Sequence, residues 1–375
     1  MFDLRIPRPF GDSRSAPSPA RARCARRGVL AATLATLVAV PLGTVSYASA
    51  TTAEPAAGQA ALLAATDFKG ANWAMPGDNF TDDAVVPEGL STSDSYDTVY
   101  AKASAVYAGF KSTAGANTVR LPINADSVPG TTWGDRYAGA VAAATDAGFN
   151  VILSDWEGGS PNGRIDDMNA FNAMWGSVIS KWQSNAHVYF EAMNEPYGYS
   201  ATDWANVAAS WISAHPSVPK ERLIISGTGY NQDVRPLCDD SRFDGTYLSI
   251  HLYTFFYTST HTYDEWVNTF TSRLGNCASR TVLDEFGAPT DDGRNYDGSA
   301  GSDEFIPYIQ AATDVVHDRG MGAVYWPALG GKHTHRPDYD WYSLYALQGS
   351  GTNLSLSVRN TTMIDRLRHA WGIGG

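Results

Sequence analysis

Cysteine is scarce in this sequence, basic charge is in deficit, and only one stretch is apolar for long enough to meet a membrane. Each shortage removes a class of function. The deficit is sharpest once residues 1–50 are set aside. They carry seven arginines against Asp3 and Asp12, leaving 20 basic against 37 acidic residues and a net charge of −17. Such a surface does not suit nucleic acid as a partner and does suit an enzyme acting on a neutral substrate. The apolar stretch, Gly28 to about Val45, follows those arginines and precedes the small-residue site Ala48-Ser49-Ala50. That order is the one of a secretory signal, and Arg26-Arg27 suggests twin-arginine export from a bacterium. A membrane anchor is the alternative, disfavoured by Pro41 and Gly43; no other run spans a bilayer, so no membrane contact is expected after cleavage. Of the three cysteines, Cys24 leaves with the signal. Cys238 and Cys277 read as one disulfide in an exported chain, with two free thiols as the alternative. Thirty-nine positions apart, they lack zinc-ligand spacing, and neither metal nor cofactor is expected.

Internal punctuation is missing too. Residues 51–64 are small, simple and expected to be loose, but from Thr66 to Gly372 there is no linker and no low-complexity tract. Residues 65–375 therefore read as one domain, large for a single core unless the fold is a barrel. Eight β-rich runs stand at 68–73, 118–123, 150–156, 188–194, 223–228, 247–253, 281–286 and 322–328. Helical periods at 134–146, 167–183 and 303–318 lie between them, and Gly115, Gly148 and Gly320 stand where helix-ending residues belong. The alternation predicts a (β/α)8 TIM barrel, a single α/β domain. An open doubly wound sheet would carry a Gly-rich phosphate turn after its first strand; Asn72-Trp73-Ala74 stands there instead.

Two carboxylates sit at ends of these runs, 90 positions apart: Glu195 in Met193-Asn194-Glu195-Pro196 and Glu285 in Asp284-Glu285-Phe286-Gly287. In a barrel, strand C-termini carry the catalytic groups, and a carboxylate pair is the minimum equipment for splitting a glycosidic bond. Arg120, Trp156, Asn194, His251, Tyr253 and Trp326 cluster at the same ends. Trp73, Trp156, Trp326 and Trp341 lie in or after strand ends, where flat aromatics suit pyranose faces; Trp175, Trp182, Trp204 and Trp211 have helical spacing and belong to the core. Glu191, four residues before Glu195, reads as a barrel-interior group deeper on the same strand, paired with Arg120. Asp284, adjacent to Glu285, is expected to point the other way. His333, His335, Asp338 and Asp340 look like a loose metal cluster but read better as loop polarity.

Residues 68–328 resemble glycoside hydrolase family 5, the cellulase-type retaining enzymes. The motifs are Val119-Arg120-Leu121-Pro122-Ile123, Met193-Asn194-Glu195-Pro196, His251-Leu252-Tyr253, Asp284-Glu285-Phe286-Gly287 and Tyr325-Trp326, in the family's order on strands 2, 4, 6, 7 and 8. The resemblance implies Glu195 as acid/base and Glu285 as nucleophile, about 5–5.5 Å apart. It implies Arg120 and Tyr253 aiming Glu285, Asn194 on the sugar 2-hydroxyl, His251 tuning Glu195 or touching sugar, and Trp326 as floor. One departure stands out: Trp156 occupies the place of a strand-3 histidine. An indole stacks but accepts no proton, so the non-reducing side is expected to be reshaped.

The expected protein is a secreted, monomeric retaining β-glycosidase acting on a neutral β-linked glucan, mannan or related glycoside. Long loops at 74–93 and 329–341 favour a pocket and exo action over an open cleft. A transglycosylating relative shares every residue named. A non-catalytic carbohydrate-binding barrel would have lost Glu195 or Glu285.

Overall fold

The computed structural model describes residues 63–159 and 161–374; the expected export signal and all but the last two residues of 51–64 lie outside that range. Eight parallel strands close into a barrel in sequence order, as the alternation predicted. They are β1 (Lys69–Pro76), β2 (Thr118–Ile123), β3 (Asn150–Asp155), β4 (Val188–Glu191), β5 (Leu223–Ser226), β6 (Tyr247–His251), β7 (Thr281–Glu285) and β8 (Gly322–Gly331). The helices are α1 (Tyr96–Ala114), α2 (Thr132–Asp146), α3 (Met168–Trp182), α4 (Ala201–Ala214), the single turns α5 (Thr228–Asn231) and α6 (Arg235–Cys238), then α7 (Tyr263–Leu274), α8 (Phe305–Arg319) and α9 (Thr361–Ala370).

Local chemistry sets the boundaries. Ser95 caps α1 by accepting from the Thr98 N–H, and Gly115 ends it at φ 81°. Val99, Ala103, Val106 and Phe110 share one face of α1 and are fully buried. Strands β2 and β3 are buried at every position, as parallel strands covered by helices must be.

Period-two alternation then sorts side chains into three zones. Those pointing outward, such as Val119, Leu121, Val151 and Leu153, join the helices in the main core. Those pointing inward near the strand starts (Ile152, Tyr189, Ile224, Tyr247, Val282 and Val324) form a separate apolar plug. Phe68 fills its centre, edge-on to Tyr189 and Tyr247 at 4.9 Å. One step further up each strand the interior turns polar, with Asn72, Arg120, Ser154, Glu191 and Ser249 all buried. The plug seals the bottom, so the chemistry opens only at the top.

A hairpin, β9 (Tyr345–Ser350) and β10 (Asn353–Val358), follows the barrel and was not foreseen. It folds over α1, and Gly109 makes room for it: a Cβ there would stand 2.8 Å from Leu356. The disulfide Cys238–Cys277 forms, tying the end of α6 to the segment before β7. A 39-residue loop implies a stabilisation of about 4 kcal/mol by chain entropy. Replacing both cysteines by alanine should lower the denaturation midpoint accordingly, measured in urea, and leave the far-ultraviolet spectrum unchanged.

Candidate active site

Arg120 lies between two outward-facing apolar neighbours on β2, so its guanidinium is driven into the barrel, where it is 1% exposed. Every donor finds an acceptor. Nε and Nη2 grip Glu191 at 2.6 and 2.8 Å; Nη1 donates to Glu285 Oε1 at 2.7 Å and Asn72 Oδ1 at 3.2 Å. Nη2 also reaches Ser154 Oγ at 3.0 Å and Asn194 Oδ1 at 2.8 Å. Glu191 is thus the interior partner of Arg120 that the sequence suggested.

Strand β4 stops at Glu191, and the chain leaves the sheet before Glu195, which takes a left-handed φ of 49°. A non-glycine residue held there costs on the order of 1–3 kcal/mol. The bend is pinned by Asn194 N–H to Asp155 C=O at 2.7 Å and Tyr197 N–H to Glu195 C=O at 2.8 Å. It leaves the Glu195 side chain 15% exposed at the mouth. Asn194 Nδ2 is buried and has no partner among the described residues.

Asp284 does not point away from the site. The β6–β7 register runs Ile250↔Leu283 and then His251↔Glu285, so Asp284 is the extra residue of a bulge. The bulge breaks the alternation and turns both acids inward. Asp284 Oδ1 accepts from Ser249 Oγ at 2.6 Å and lies 3.3 Å from His251 Nε2. His251 Nδ1 reaches Glu195 Oε1 at 3.0 Å and stands 3.5 Å from Glu285 Oε2. Tyr253 donates its hydroxyl to Glu285 Oε2 at 3.3 Å. An oxygen of Glu195 and one of Glu285 lie within 4.8 Å of each other, on the short side of the two spacings that two-carboxylate hydrolysis uses.

Charge decides how these groups share protons. Burial alone would depress the His251 imidazole, but Glu285, Asp284 and Glu195 raise it to about 10. It is an imidazolium that donates from both nitrogens. Burial pushes Glu285 upward, opposed by His251 and Arg120. Burial also lifts Glu191, to about 7, against the pull of Arg120. The two acid–imidazole clusters close enough to share a cation, Glu191–His251–Asp284 and Glu195–His251–Glu285, already hold one in His251.

The tryptophans divide. Trp326 lies in the mouth cluster with Tyr253 and Tyr342, stacked on Trp156 at 5.3 Å. Trp156 is 3% exposed and itself backed by Phe80 at 4.7 Å, so it supports Trp326 from behind. Trp73 does not belong to the site. It faces outward into the main core, fully buried and edge-on to Tyr107 of α1 at 5.7 Å. Within β1 the pleat points it to the helices, and its neighbour Asn72 takes the inward place. In the loop after β8, His335 stacks on Trp341 at 3.9 Å, and Asp340 accepts the Lys332 and Tyr342 N–H groups. Asn72, Ser154 and Asn231 were missed. Asn72 was within reach of the alternation rule; Asn231, at φ 53° in a short turn, donates to Ser249 and gave no sequence signal.

A closed parallel barrel with two carboxylates facing across its C-terminal mouth, one of them aimed by a buried arginine, defines a glycoside hydrolase. The family model "Cellulase (glycosyl hydrolase family 5)" matches residues 79–330. The chain belongs to that family, whose enzymes cleave with retention. The catalytic domain of the major endoglucanase of Xanthomonas campestris pv. campestris is 16% identical, with a TM-score of 0.58 over 81% of this chain and 94% of that one. An endocellulase of Pyrococcus horikoshii, solved with cellotetraose, is 13% identical, with a TM-score of 0.57 over 81% and 92%. XacCel5A, solved with cellopentaose, is 20% identical, with a TM-score of 0.51 over 70% and 89%. At these identities the likeness speaks to the fold alone. No curated protein matches the chain.

Removing Arg120 would leave Glu191 and Asp284 buried without their cation. Arg120→Ala should lose about 3–5 kcal/mol in chemical denaturation, and removing Glu191 as well should recover part of that loss. The His251 shift sets a pH dependence. Its folded value near 10 exceeds the unfolded value near 6.5, so its stabilisation is fully present below pH 6.5 and is lost as pH rises towards 10. The melting temperature should fall across that window, and the fall should flatten in His251→Gln.

Proposed function

We propose that the protein is an exported retaining β-glycosidase that removes short units from the end of a gluco-configured β-glycan. Glu195 is the acid/base and Glu285 the nucleophile. Glu285 attacks the anomeric carbon while Glu195 protonates the departing oxygen; Glu195 then takes a proton from water as the glycosyl-enzyme is released. Arg120 and Tyr253 aim Glu285, and His251 orients Glu195. The free Asn194 Nδ2 donates to the 2-hydroxyl, where a hydrogen bond strengthens in the oxocarbenium-like transition state. Trp326 lies beneath the reacting sugar.

The observation that carries the end-acting reading is the tie among the loops at the mouth. The β1 and β8 extensions stay joined to Gly77 N–H and Gly331 C=O at 2.8 Å, and beyond them Lys332 pairs with Asp78 at 3.3 Å. The β1 loop then crosses to the β3 loop, where Gly159 N–H donates to Asp82 at 2.8 Å. A cleft barred on that side favours a chain end over a chain middle. The complexes of XacCel5A with cellopentaose and of the Pyrococcus horikoshii endocellulase with cellotetraose support a β-glucan backbone as the scaffold of the substrate, and the N-terminal signal pattern supports export.

The test is hydrolysis of defined β-linked oligosaccharides, with products sized by mass. Mono- or disaccharide from one end is expected; a ladder of products would overturn the end-acting reading. Glu285→Ala should abolish turnover. Glu195→Ala should lose about 10²–10⁴-fold with sugar leaving groups and much less with an activated aryl leaving group, which needs no acid.

A further inference from the structure

Asp284 is fully buried in the polar layer, and no step of the hydrolysis uses it. Strict alternation would turn it outward among the apolar side chains under the helices, where a carboxyl finds no donor. The extra residue of the β7 bulge brings it inward instead. That bulge is tied from β1, because Asn72 Nδ2 donates to Asp284 C=O at 2.7 Å. Of the two carboxyl oxygens, Oδ2 lies 3.8 Å from Arg120 Nε and accepts no hydrogen bond among the described residues, so Oδ1 carries the contacts.

The two nitrogens of His251 have different company. Nδ1 faces both catalytic acids, 3.0 Å from Glu195 Oε1 and 3.5 Å from Glu285 Oε2. Nε2 has two neighbours at equal distance, and they make opposite demands. The Asp284 carboxylate, with Oδ1 at 3.3 Å, can only accept and favours a proton on Nε2. Asn231 Nδ2, also at 3.3 Å, can only donate and favours a bare nitrogen. The amide cannot simply turn over. Its Nδ2 donates to Ser249 Oγ at 2.7 Å, and the serine spends its single proton on Asp284 Oδ1 at 2.6 Å. Asn231 is fully buried, its backbone is held at φ 53°, and its Oδ1 receives no hydrogen bond from any described residue.

Charge decides between the two neighbours. The acids around His251 are Glu191 and Glu195, from β4 and the bend after it, and Asp284 and Glu285 from β7. Arg120 of β2 and Lys332 beyond β8 face these same acids. A hydrogen bond to a carboxylate is about twice as strong as one between neutral groups, so Asp284 outweighs Asn231. The cation kept in this way acts on the nucleophile: burial pushes Glu285 upward, and His251 opposes it ahead of Arg120.

We propose that Asp284 is a positioning residue for the nucleophile: it fixes the second proton on His251 Nε2, and through that charge it keeps Glu285 ionised. Asn231 is the counterweight, ready to donate to Nε2 once the carboxylate is gone. The role given to Glu285 rests on the β-glycosidase reading.

The experiment follows kcat/KM for a cello-oligosaccharide against pH in wild type, Asp284→Asn, His251→Gln and the double variant. The acid limb reports Glu285, which must be ionised to attack. Without the cation burial is less opposed, so in Asp284→Asn the limb should move to higher pH by about one unit. Adding Asp284→Asn to His251→Gln should move it no further. A limb that stays in place in Asp284→Asn, or that moves as far in the His251→Gln background, would overturn the proposal. Nitrogen-15 spectra of the histidine rings read the pairing without turnover, with His251 identified by its loss in His251→Gln. Between pH 6.5 and about 10, wild type should carry protons on both nitrogens, and Asp284→Asn should leave Nε2 bare. A neutral His251 in wild type would overturn the proposal even if the variants failed to fold. Absence of all hydrolysis by wild type would remove the β-glycosidase reading and with it the role of Glu285, whereas an imidazolium lost in Asp284→Asn would still support the pairing of Asp284 with His251.

Discussion

One buried guanidinium organises the molecule's interior. Arg120 is enclosed at the middle level of the barrel, and its hydrogen bonds reach β1 through Asn72, β3 through Ser154, β4 through Glu191 and β7 through Glu285. An uncompensated charge in such a place would be prohibitive, so each of these acceptors is obliged to stand where it does. The same requirement that stabilises the polar layer also points Glu285 at the mouth. Structure and chemistry are therefore not separable at this level of the barrel.

Around that cation the charges alternate. Glu191 and Asp284 lie beside Arg120, His251 lies between Asp284 and Glu195, and Glu285 bridges Arg120 and His251. Two cations thus face four carboxyls. That imbalance leaves room for a proton to be held on one acid while another stays ionised, which is the division of labour two-carboxylate hydrolysis needs. The apolar plug below keeps water from reaching the network from beneath, and the aromatic cluster of Trp156, Trp326, Tyr253 and Tyr342 narrows access from above.

The loops diverge from this shared centre in chemical character. On the β3 side the lining is acidic, drawing on Asp82, Glu157 and Asp166. On the β4–β6 side it is aromatic, with Tyr197 stacked on Tyr230 at 4.1 Å and Phe255, 65% exposed, stacked on Tyr253 at 4.8 Å. The barrel sets the reaction, while these loops set what is brought to it.

The amino-acid sequence by itself determined the barrel and placed the carboxylates of Glu195 and Glu285 at its mouth. Eight apolar runs separated by helical periods leave few alternatives, and Glu195 and Glu285 each close such a run, so both the fold and the two acids were legible from short-range pattern. Arg120 and Glu191 were legible for the same reason, since a charged residue amid buried alternation must turn inward and find an opposite charge. What only the tertiary structure decided depends on breaks in that alternation or on contacts between distant loops. The bulge at Asp284 adds one residue to β7 and reverses the side the period assigns. Trp73 has the composition of a platform but the parity of a core residue. Asn231 joins the network from a turn with no pattern at all, and the acidic lining beside β3 collects residues from three loops and a helix start, far apart in the chain. A local period carries no information about either, because register irregularities and loop convergence are settled by packing across the barrel.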